Sequence, residues 1–532
     1  MPQDQYDAIV IGAGSAGCAL ANRLSANPRM SVLLVEAGPR DWNPFIHIPA
    51  GISKTYVHPT LNWGYMTEPQ PHLDNRAIYW PRGRTLGGSS AINGMIYIRG
   101  QAQDYDDWEA AGCHGWGWND VLPAYRALER HIDGASAWHG DQGELTITHP
   151  RFRHPSSEDF IDACRAAGYP LTPDFNGADQ HGAGFYQFTI KDGMRASSAA
   201  AFLRPAKGRA NLTVLTGAQA ERILFEGTRA CGVSLFHLGQ ARTIRAGEVI
   251  LSAGAVNSPQ LLLLSGVGPA QQLRDLGIEV VHDLPGVGEN LHDHMLVQHL
   301  SEVAADKSIN RQMRGPRLVP EVLRYLLKRD GLLTIGASQA AAFLKSDPAL
   351  DRPDIQLMFK PYTIEMSPAA KIVPGARPGW TTAASPLRPK SRGWLRLRSA
   401  DWREPPLMQP NFLADPDDER LMVAGLRMMR RIFAEQPVAA IARETLPGAT
   451  VQSDEDLLAF ARVNSGSMFH PVGTCRMGSD AGAVVDPRLL VRGLSGLRVA
   501  DASVMPAIVS GNTNAAAIMI GARAGNMILA DA

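Results

Sequence analysis

Two kinds of residue pattern in this 532-residue chain could do chemistry: a glycine-rich turn able to hold a phosphate, and histidines able to move a proton. The turn reads Gly12-Ala13-Gly14-Ser15-Ala16-Gly17, and Glu36 stands 19 residues after Gly17. In such a G-x-G-x-x-G the first glycine permits a tight turn, the second lets backbone approach a pyrophosphate, and the third lets helix and strand pack closely. The helix that follows presents free N–H groups and a positive dipole end to the phosphate. An acid about 20 residues on is where a ribose hydroxyl is expected. The pattern fits NAD and FAD alike, and an acid at 36 disfavours NADP. A glycine-rich βα turn without ligand is the plainer alternative, so the flanking elements carry weight.

Histidine suits proton transfer because its ordinary pKa lies near working pH. The chain has 15 histidines, and any one taken alone is more often structural or exposed. His470 precedes Pro471, which pushes its backbone toward an extended form and holds it in a defined loop. Asn512 follows 42 residues later. An asparagine can donate a hydrogen bond to a forming alkoxide without titrating. Within Ser-Gly-Asn-Thr-Asn, composition alone makes it a turn residue. His292-Asp293-His294 offers metal-ligand types but lacks a third spaced ligand, and no metal is expected there. The five cysteines (Cys18, Cys113, Cys164, Cys231, Cys475) are odd in number, widely spaced and without C-x-x-C. A disulfide framework or zinc site is not expected, and a reducing compartment is.

The elements that must position these residues are legible around them. Ala8-Ile9-Val10-Ile11 is a short apolar, β-branched run, read as a buried parallel strand. Ala16, Leu20 and Leu24 then recur at helical spacing up to Ser25, and a second strand runs from Ser31 to Val35 and ends at Glu36. Strand, glycine turn, helix, strand and acid are thus in register. Gly87-Gly88-Ser89-Ser90 exposes backbone amides that can lie against a flat ring or a diphosphate. A second small-residue stretch, Ser252 to Pro259, follows the strand Val249-Ile250-Leu251, where an α/β sheet presents ligand contacts. Leu212 to Leu215 and Ala220 to Ile223 read as strands around Gly217. Val319 to Leu327 and Glu419 to Phe433 carry helical pattern, and Trp394 to Arg398 alternates as a half-exposed antiparallel strand does. Ala517, Ile520, Ala524 and Met527 share one face of the closing helix. That face is read as core packing and not a membrane anchor, because it lacks a basic polar flank.

Composition bounds the rest. Hydrophobic residues make up 45% and charged residues 20%, and 52 Lys+Arg balance 52 Asp+Glu. Zero net charge removes the broad basic field of a nucleic-acid binder, and long disorder is not expected. The 51 glycines and 37 prolines imply many tight turns, as in an α/β protein with long loops. No apolar run approaches the ~20 residues of a bilayer span, and the N-terminus has no basic signal-peptide region. A cytoplasmic protein is expected, with peripheral association at the inner face of the cytoplasmic membrane left open.

Six separated stretches, in order, resemble the glucose–methanol–choline (GMC) family of flavin oxidoreductases: Gly12 to Gly17 with Glu36; Gly83 to Ser90 with Asn93; Ser252 to Pro259 with Leu264 to Gly268; Phe469 to Thr474; Asp501 to Ser503; and Gly511 to Asn514. Within the family, the HPVGTCRMG and NTNAAAIMI stretches look most like bacterial FAD-dependent dehydrogenases of primary alcohols. The resemblance implies an α/β fold, α+β overall: a Rossmann-like FAD-binding domain and a smaller substrate (cap) domain of antiparallel sheet plus helices. Residues 1–155, 200–300 and 461–532 are expected to form the first, and 156–199 and 301–460 the second. It implies FAD contacts at Gly12, Gly14, Ser15, Ala16, Gly17, Glu36, Ala37, Arg84, Gly87, Gly88, Ser89, Asn93, Gly94, Ala220, Ala253, Gly254, Asp501, Ala502 and Asn514. Ile92 falls where some members attach FAD through a histidine, so noncovalent FAD is expected. The catalytic pair is expected to be His470, taking the hydroxyl proton, and Asn512, holding the alkoxide while hydride passes to flavin N5. The implied partners are a small alcohol and an electron acceptor, a quinone or another, with O₂ the acceptor if the protein is an oxidase. A choline or sugar dehydrogenase and an FAD-containing hydroxynitrile lyase are the alternatives. A choline enzyme needs a cage for a quaternary ammonium. Trp63, Tyr65 and Glu68 could form one, but no clear signature is present, so neutral primary alcohols are expected to be preferred.

Overall fold

The computed structural model describes residues 4–366 and 372–531. Its strands gather into two seven-stranded sheets and several small ribbons. In the first sheet the order runs 212–216, 32–36, 5–11, 240–251, 229–237, 218–226, with 497–499 pairing on 240–251. Val32–Glu36 is buried throughout, as a strand covered on both faces requires. It pairs in parallel with Ala8–Ile11 on one side and Leu212–Thr216 on the other. Gln240–Leu251 does two jobs. Its first half, Gln240–Arg245, is mostly exposed in an antiparallel hairpin, with only Ile244 buried. Its last residues, Val249–Leu251, lie buried between parallel neighbours Ile9–Ile11 and Leu497–Val499. The switch from mostly polar, exposed residues to a continuous buried apolar run follows that change of surroundings.

The second sheet is antiparallel throughout, in the order 442–446, 295–303, 379–386, 355–360, 340–344, 182–185, with 466–467 on the end of 295–303. Helix Pro416–Phe433 packs on the strand Gly379–Pro386. A Cβ at Gly425 would stand 2.6 Å from the Ala384 Cβ, so glycine permits the close approach. Asp415 caps the helix, three acids occupy its first turn, and Arg430 and Arg431 its last, each placed to oppose the helix dipole. The expected strand at 394–398 is present as Trp394–Arg396, paired with Leu407–Gln409. The α/β architecture with a second antiparallel sheet is therefore the one expected.

The closing helix, Asn514–Asp531, lies against the first helix, Ser15–Leu24. A Cβ at Gly521 would meet the Ala16 carbonyl at 2.2 Å, so the contact is backbone-close. Ala517, Ile520 and Ala524 are buried and Met527 is half-buried. Among the described residues, no helix is long and apolar enough to cross a membrane.

Candidate active site

One cavity of about 1130 Å³ runs between the two sheets. It is lined by Gly12, Gly14, Ser15, Ala16, Glu36, Ala37, Gly88, Ser89, Asn93, Gly94, Ala220, Ala253, Gly254, Asp501, Ala502, His470, Asn512 and Asn514. Of the residues expected to form the site, only Gly17, Gly87 and Arg84 do not line it. Gly17 packs the first helix on its strand: a Cβ there would stand 1.9 Å from the Gly12 carbonyl. Gly87 (φ +91°) turns the chain so that its neighbour reaches the cavity. The Arg84 guanidinium lies 4.7 Å from the ring centre of Trp63, and its buried Nε has no partner.

The cradle is made of backbone. Gly12 has φ +101°, and a Cβ there would meet the Ser252 carbonyl at 2.5 Å. At Gly14 a Cβ would find only that carbonyl, at 3.8 Å, because this residue faces the open cavity. Gly88 (φ +51°) crosses directly over Gly14, where a Cβ would stand 2.6 Å from the Gly14 Cα. The two glycine loops thus stack, and a side chain at Gly88 would collide with the Gly14 backbone. Glu36 accepts the Ala13 N–H at 3.0 Å through one oxygen and the Gly38 N–H at 2.8 Å through the other. Burial pushes its carboxyl up to about 7 despite these bonds. Glu36 therefore holds the loop together as well as facing the cavity, and each oxygen keeps a lone pair for a ribose hydroxyl. Asp501 accepts from the Gly254 N–H at 2.8 Å and the Ser503 N–H at 2.8 Å, tying the second small-residue stretch to the last strand. Ser15 Oγ donates to Asn514 Oδ1 at 2.7 Å, joining the starts of the first and closing helices. These features fit FAD: stacked glycine loops for a diphosphate, an acid for a ribose, and an unpartnered buried Arg84 Nε beside the cavity. Ile92, buried and purely aliphatic, offers no atom for a covalent link to flavin.

The part of the cavity that holds His470 and Asn512 is built where two distant segments meet. Residues 466–472 run antiparallel to 292–296, through the pairs Ser467–Met295, Gly466–Leu296 and Val472–His292. This sets His294 beside His470, with their Nδ1 atoms 3.1 Å apart. His294 Nε2 lies 2.8 Å from the Leu387 carbonyl. A carbonyl only accepts, so that nitrogen carries the proton, and neutral His294 has a bare Nδ1. Burial keeps His294 neutral by lowering its pKa to about 4. His470 must then donate from Nδ1, which leaves its Nε2 lone pair free. That lone pair faces Asn512 Nδ2 at 3.2 Å. Asn512 Oδ1 is buried without a partner. Burial, with His294 and Arg82 nearby, holds the His470 pKa well below its usual 6.5.

The backbone that carries His470 is held on every side. Its N–H donates to Asp293 Oδ1 at 2.7 Å, and the other carboxylate oxygen accepts from Ser467 Oγ. Burial raises the Asp293 carboxyl to about 7. Phe469 sits at φ +66°, uncommon for a bulky residue. Arg82 donates to its carbonyl, and Tyr56 packs edge-on against its ring at 5.5 Å. Asp293, His294 and Arg82 were not expected at the site. The His292-Asp293-His294 cluster was the available signal, and its polar atoms are engaged by Asn290, Ile508, Ser467, His470 and Leu387. Among the described residues, no group of three or more His, Cys, Asp or Glu side chains is arranged to hold a metal.

The aromatic pair considered for a cationic substrate is otherwise occupied. Trp63 and Tyr65 stack on each other at 5.7 Å, and Arg84 lies over Trp63. Glu68 accepts from Arg398 Nη2 at 2.9 Å.

A backbone diphosphate cradle, a covering antiparallel sheet and a histidine at the inner end of the cavity define an FAD-binding oxidoreductase. The chain belongs to the GMC oxidoreductase family, whose N-terminal model matches residues 6–296 and whose C-terminal model matches residues 389–521. It is 46% identical to an alcohol dehydrogenase [acceptor] of Pseudomonas putida over 530 residues, spanning 98% of this chain and 96% of that one. It is 42% identical to the human mitochondrial choline dehydrogenase over 542 residues, 99% of this chain and 90% of that one. Among solved structures it superposes on pyridoxine 4-oxidase from Mesorbium loti with TM-score 0.90 at 31% identity, covering 99% of each chain. It also superposes on a formate oxidase of Aspergillus oryzae with TM-score 0.93 at 27% identity, covering 100% of this chain and 99% of that one.

Proposed function

We propose that this protein oxidises a neutral primary alcohol to the aldehyde, with His470 as proton acceptor and Asn512 as hydrogen-bond partner of the substrate oxygen, and passes the electrons to a quinone or another acceptor. The observation that carries this reading is the relay Leu387 carbonyl, His294, His470. It fixes the proton of His470 on Nδ1 and leaves a single lone pair, on Nε2, facing the cavity.

When bound, FAD supplies the two-electron acceptor that takes the hydride from the alcohol carbon. The chain's residues handle the proton and the oxygen. An alcohol hydroxyl placed between His470 and Asn512 gives its proton to His470 Nε2, which carries the one lone pair of that ring able to accept it. Asn512 Nδ2 stands 3.2 Å from that nitrogen; the incoming hydroxyl takes the place of this contact, and the amide then donates to the oxygen as charge develops on it. The depressed pKa of His470 keeps it neutral, and so competent to accept, across neutral pH.

The relatives on both sides of the substrate question are in the same family. Similarity to an alcohol dehydrogenase [acceptor] supports the alcohol and the external acceptor. The choline reading is disfavoured because Trp63 is covered by Arg84 and Glu68 is paired with Arg398. We take residues 1–155, 200–300 and 461–532 as the cofactor unit and 156–199 with 301–460 as the substrate unit, with the boundary expected at 300 moved to 294 because the strand Met295–Val303 belongs to the second sheet. The deciding experiment is an anaerobic panel of aliphatic, aromatic, sugar and choline substrates, reading loss of flavin colour. Rapid bleaching by neutral primary alcohols is expected. No bleaching by any alcohol would overturn the reading in favour of a lyase or a binding protein.

A further inference from the structure

The helix Leu318–Lys328 has an inner and an outer apolar flank, and only the inner one is used by the protein. Leu318 and Val322 line the far end of the cavity, and Tyr325 is buried with its hydroxyl donating to the Gly193 carbonyl at 3.1 Å. These three recur at i, i+4 and i+7 and mark the inner flank. Val319, Leu323, Leu326 and Leu327 recur at i, i+4, i+7 and i+8 and form the outer flank. They are 56%, 53%, 60% and 82% exposed. Four large aliphatic side chains exposed on one short helix form a contiguous patch, of the kind that marks an interaction surface.

The charges around the patch say what it meets. Arg311, Arg314, Arg317, Arg324, Lys328 and Arg329 are all exposed around it. Glu321 and Asp330 are the acids of the same stretch. Asp330 is taken by Arg324, and Glu321 accepts from the Leu332 N–H. Arg311, Arg314, Arg317 and Lys328 pair with no carboxylate among the described residues. The chain as a whole has zero net charge, so this is a local excess of cations bordering an apolar strip. A two-fold contact between copies would set these unpaired cations against themselves. An anionic lipid surface satisfies both parts at once: acyl chains for the leucines, headgroup phosphates for the arginines.

We infer that the 318–328 helix is a membrane-docking element that seats the protein on an anionic phospholipid bilayer, with the helix lying in the interface. The inner flank of the same helix walls the cavity beside Met313, Leu332 and Leu333. Docking therefore brings the apolar end of the cavity next to the hydrocarbon, where an aliphatic alcohol dissolves. The binding part of this inference does not depend on the chemistry assigned to His470.

The test is co-sedimentation of the flavin-loaded protein with vesicles of phosphatidylcholine containing phosphatidylglycerol, and with phosphatidylcholine alone. Binding to the anionic vesicles, weakened by salt, is expected. Leu323→Glu with Leu327→Glu should lower the partition coefficient by roughly 10²-fold, as two leucines lose their burial. Arg314→Glu with Arg317→Glu should remove the preference for anionic over neutral vesicles and act as the second readout if the leucine variant fails to fold. Both variants should turn over a short water-soluble alcohol at the wild-type rate. The inference fails if wild type stays in the supernatant with anionic vesicles at low salt, or if the variants bind as well as wild type. It also fails if light scattering finds a dimer that the leucine variant converts to monomer, since the patch is then a self-interface.

Discussion

At the scale of single residues, the proposed proton transfer turns on the Nδ1 contact between His294 and His470. A lone histidine in a loop can hold its proton on either nitrogen, and only one tautomer presents a base to the substrate. His470→Ala should slow anaerobic flavin reduction by about 10²–10⁴-fold while FAD stays bound, with the residual rate rising with pH. A wild-type rate at neutral pH would remove His470 from the mechanism. Asn512→Ala should cost about 10²–10³-fold as a lost donor to developing charge, and Asn512→His should retain more activity. His294 acts through His470, so His294→Ala should lower kcat with little change in KM. His294→Gln, whose side-chain oxygen can accept from Nδ1–H, should recover part of the loss; equal rates for the two variants would make His294 merely structural. The pH profile has a definite sign. His470 is depressed below 6.5, so kcat/KM should rise with pH along a limb below 6.5 and level off before neutrality. A limb centred above 6.5 would contradict that environment.

At the scale of elements, the site rests on loops pressed together at backbone distance. Gly88 crosses over Gly14 at positive φ, so Gly88→Ala adds both a clash and backbone strain. Purified Gly88→Ala should carry little FAD, measured as the ratio of flavin to protein absorbance, and a full complement would show that the loops can separate. On the antiparallel sheet, strand Ala442–Leu446 is pinned through Glu444, which accepts from Arg430 of the long helix and lies 3.2 Å from His299 Nε2 of the neighbouring strand. Burial alone would raise the Glu444 carboxyl, but these partners overcome it and pull its pKa down to about 2. A depressed folded-state pKa contributes stability above the unfolded value of 4.5 that is lost as pH falls toward 2. Glu444→Gln should therefore lower Tm at pH 7, with the difference from wild type shrinking through that acid window. A difference constant with pH would mean the effect is packing and not charge.

At the scale of the whole molecule, two sheets face each other across one cavity lined by the residues that would hold the cofactor. Ile92 provides no attachment point, so acid or heat should release free FAD into the supernatant; flavin left on the denatured chain would contradict this. A ligand that binds only the folded state stabilises it by about 2.7 kcal/mol at a hundred times its Kd. Added FAD should accordingly raise the Tm of stripped protein in a concentration-dependent way. In competition, neutral primary alcohols should exceed choline in kcat/KM, since the Trp63 face is covered by Arg84. A preference for choline would place its cage elsewhere in the cavity.

What the sequence determined by itself is local. The strand, glycine turn, helix, strand and Glu36 of residues 5–36 are legible because each depends on residues within a few positions of one another, and on steric rules that only glycine satisfies. The second small-residue stretch and the 416–433 helix are legible for the same reason. His470 and Asn512 could be marked by their resemblance to a family motif, but their geometry could not. Tertiary structure decided that residues 292–296 pair with residues 466–472, which carries His294 across 176 positions to the one nitrogen it orients. It decided that Arg84 stands behind Trp63, that Glu36 holds its own loop, and that one flank of an amphipathic helix stays uncovered. None of these has a local signature, because pairing between distant strands depends on how whole surfaces fit and not on the residues that happen to meet there.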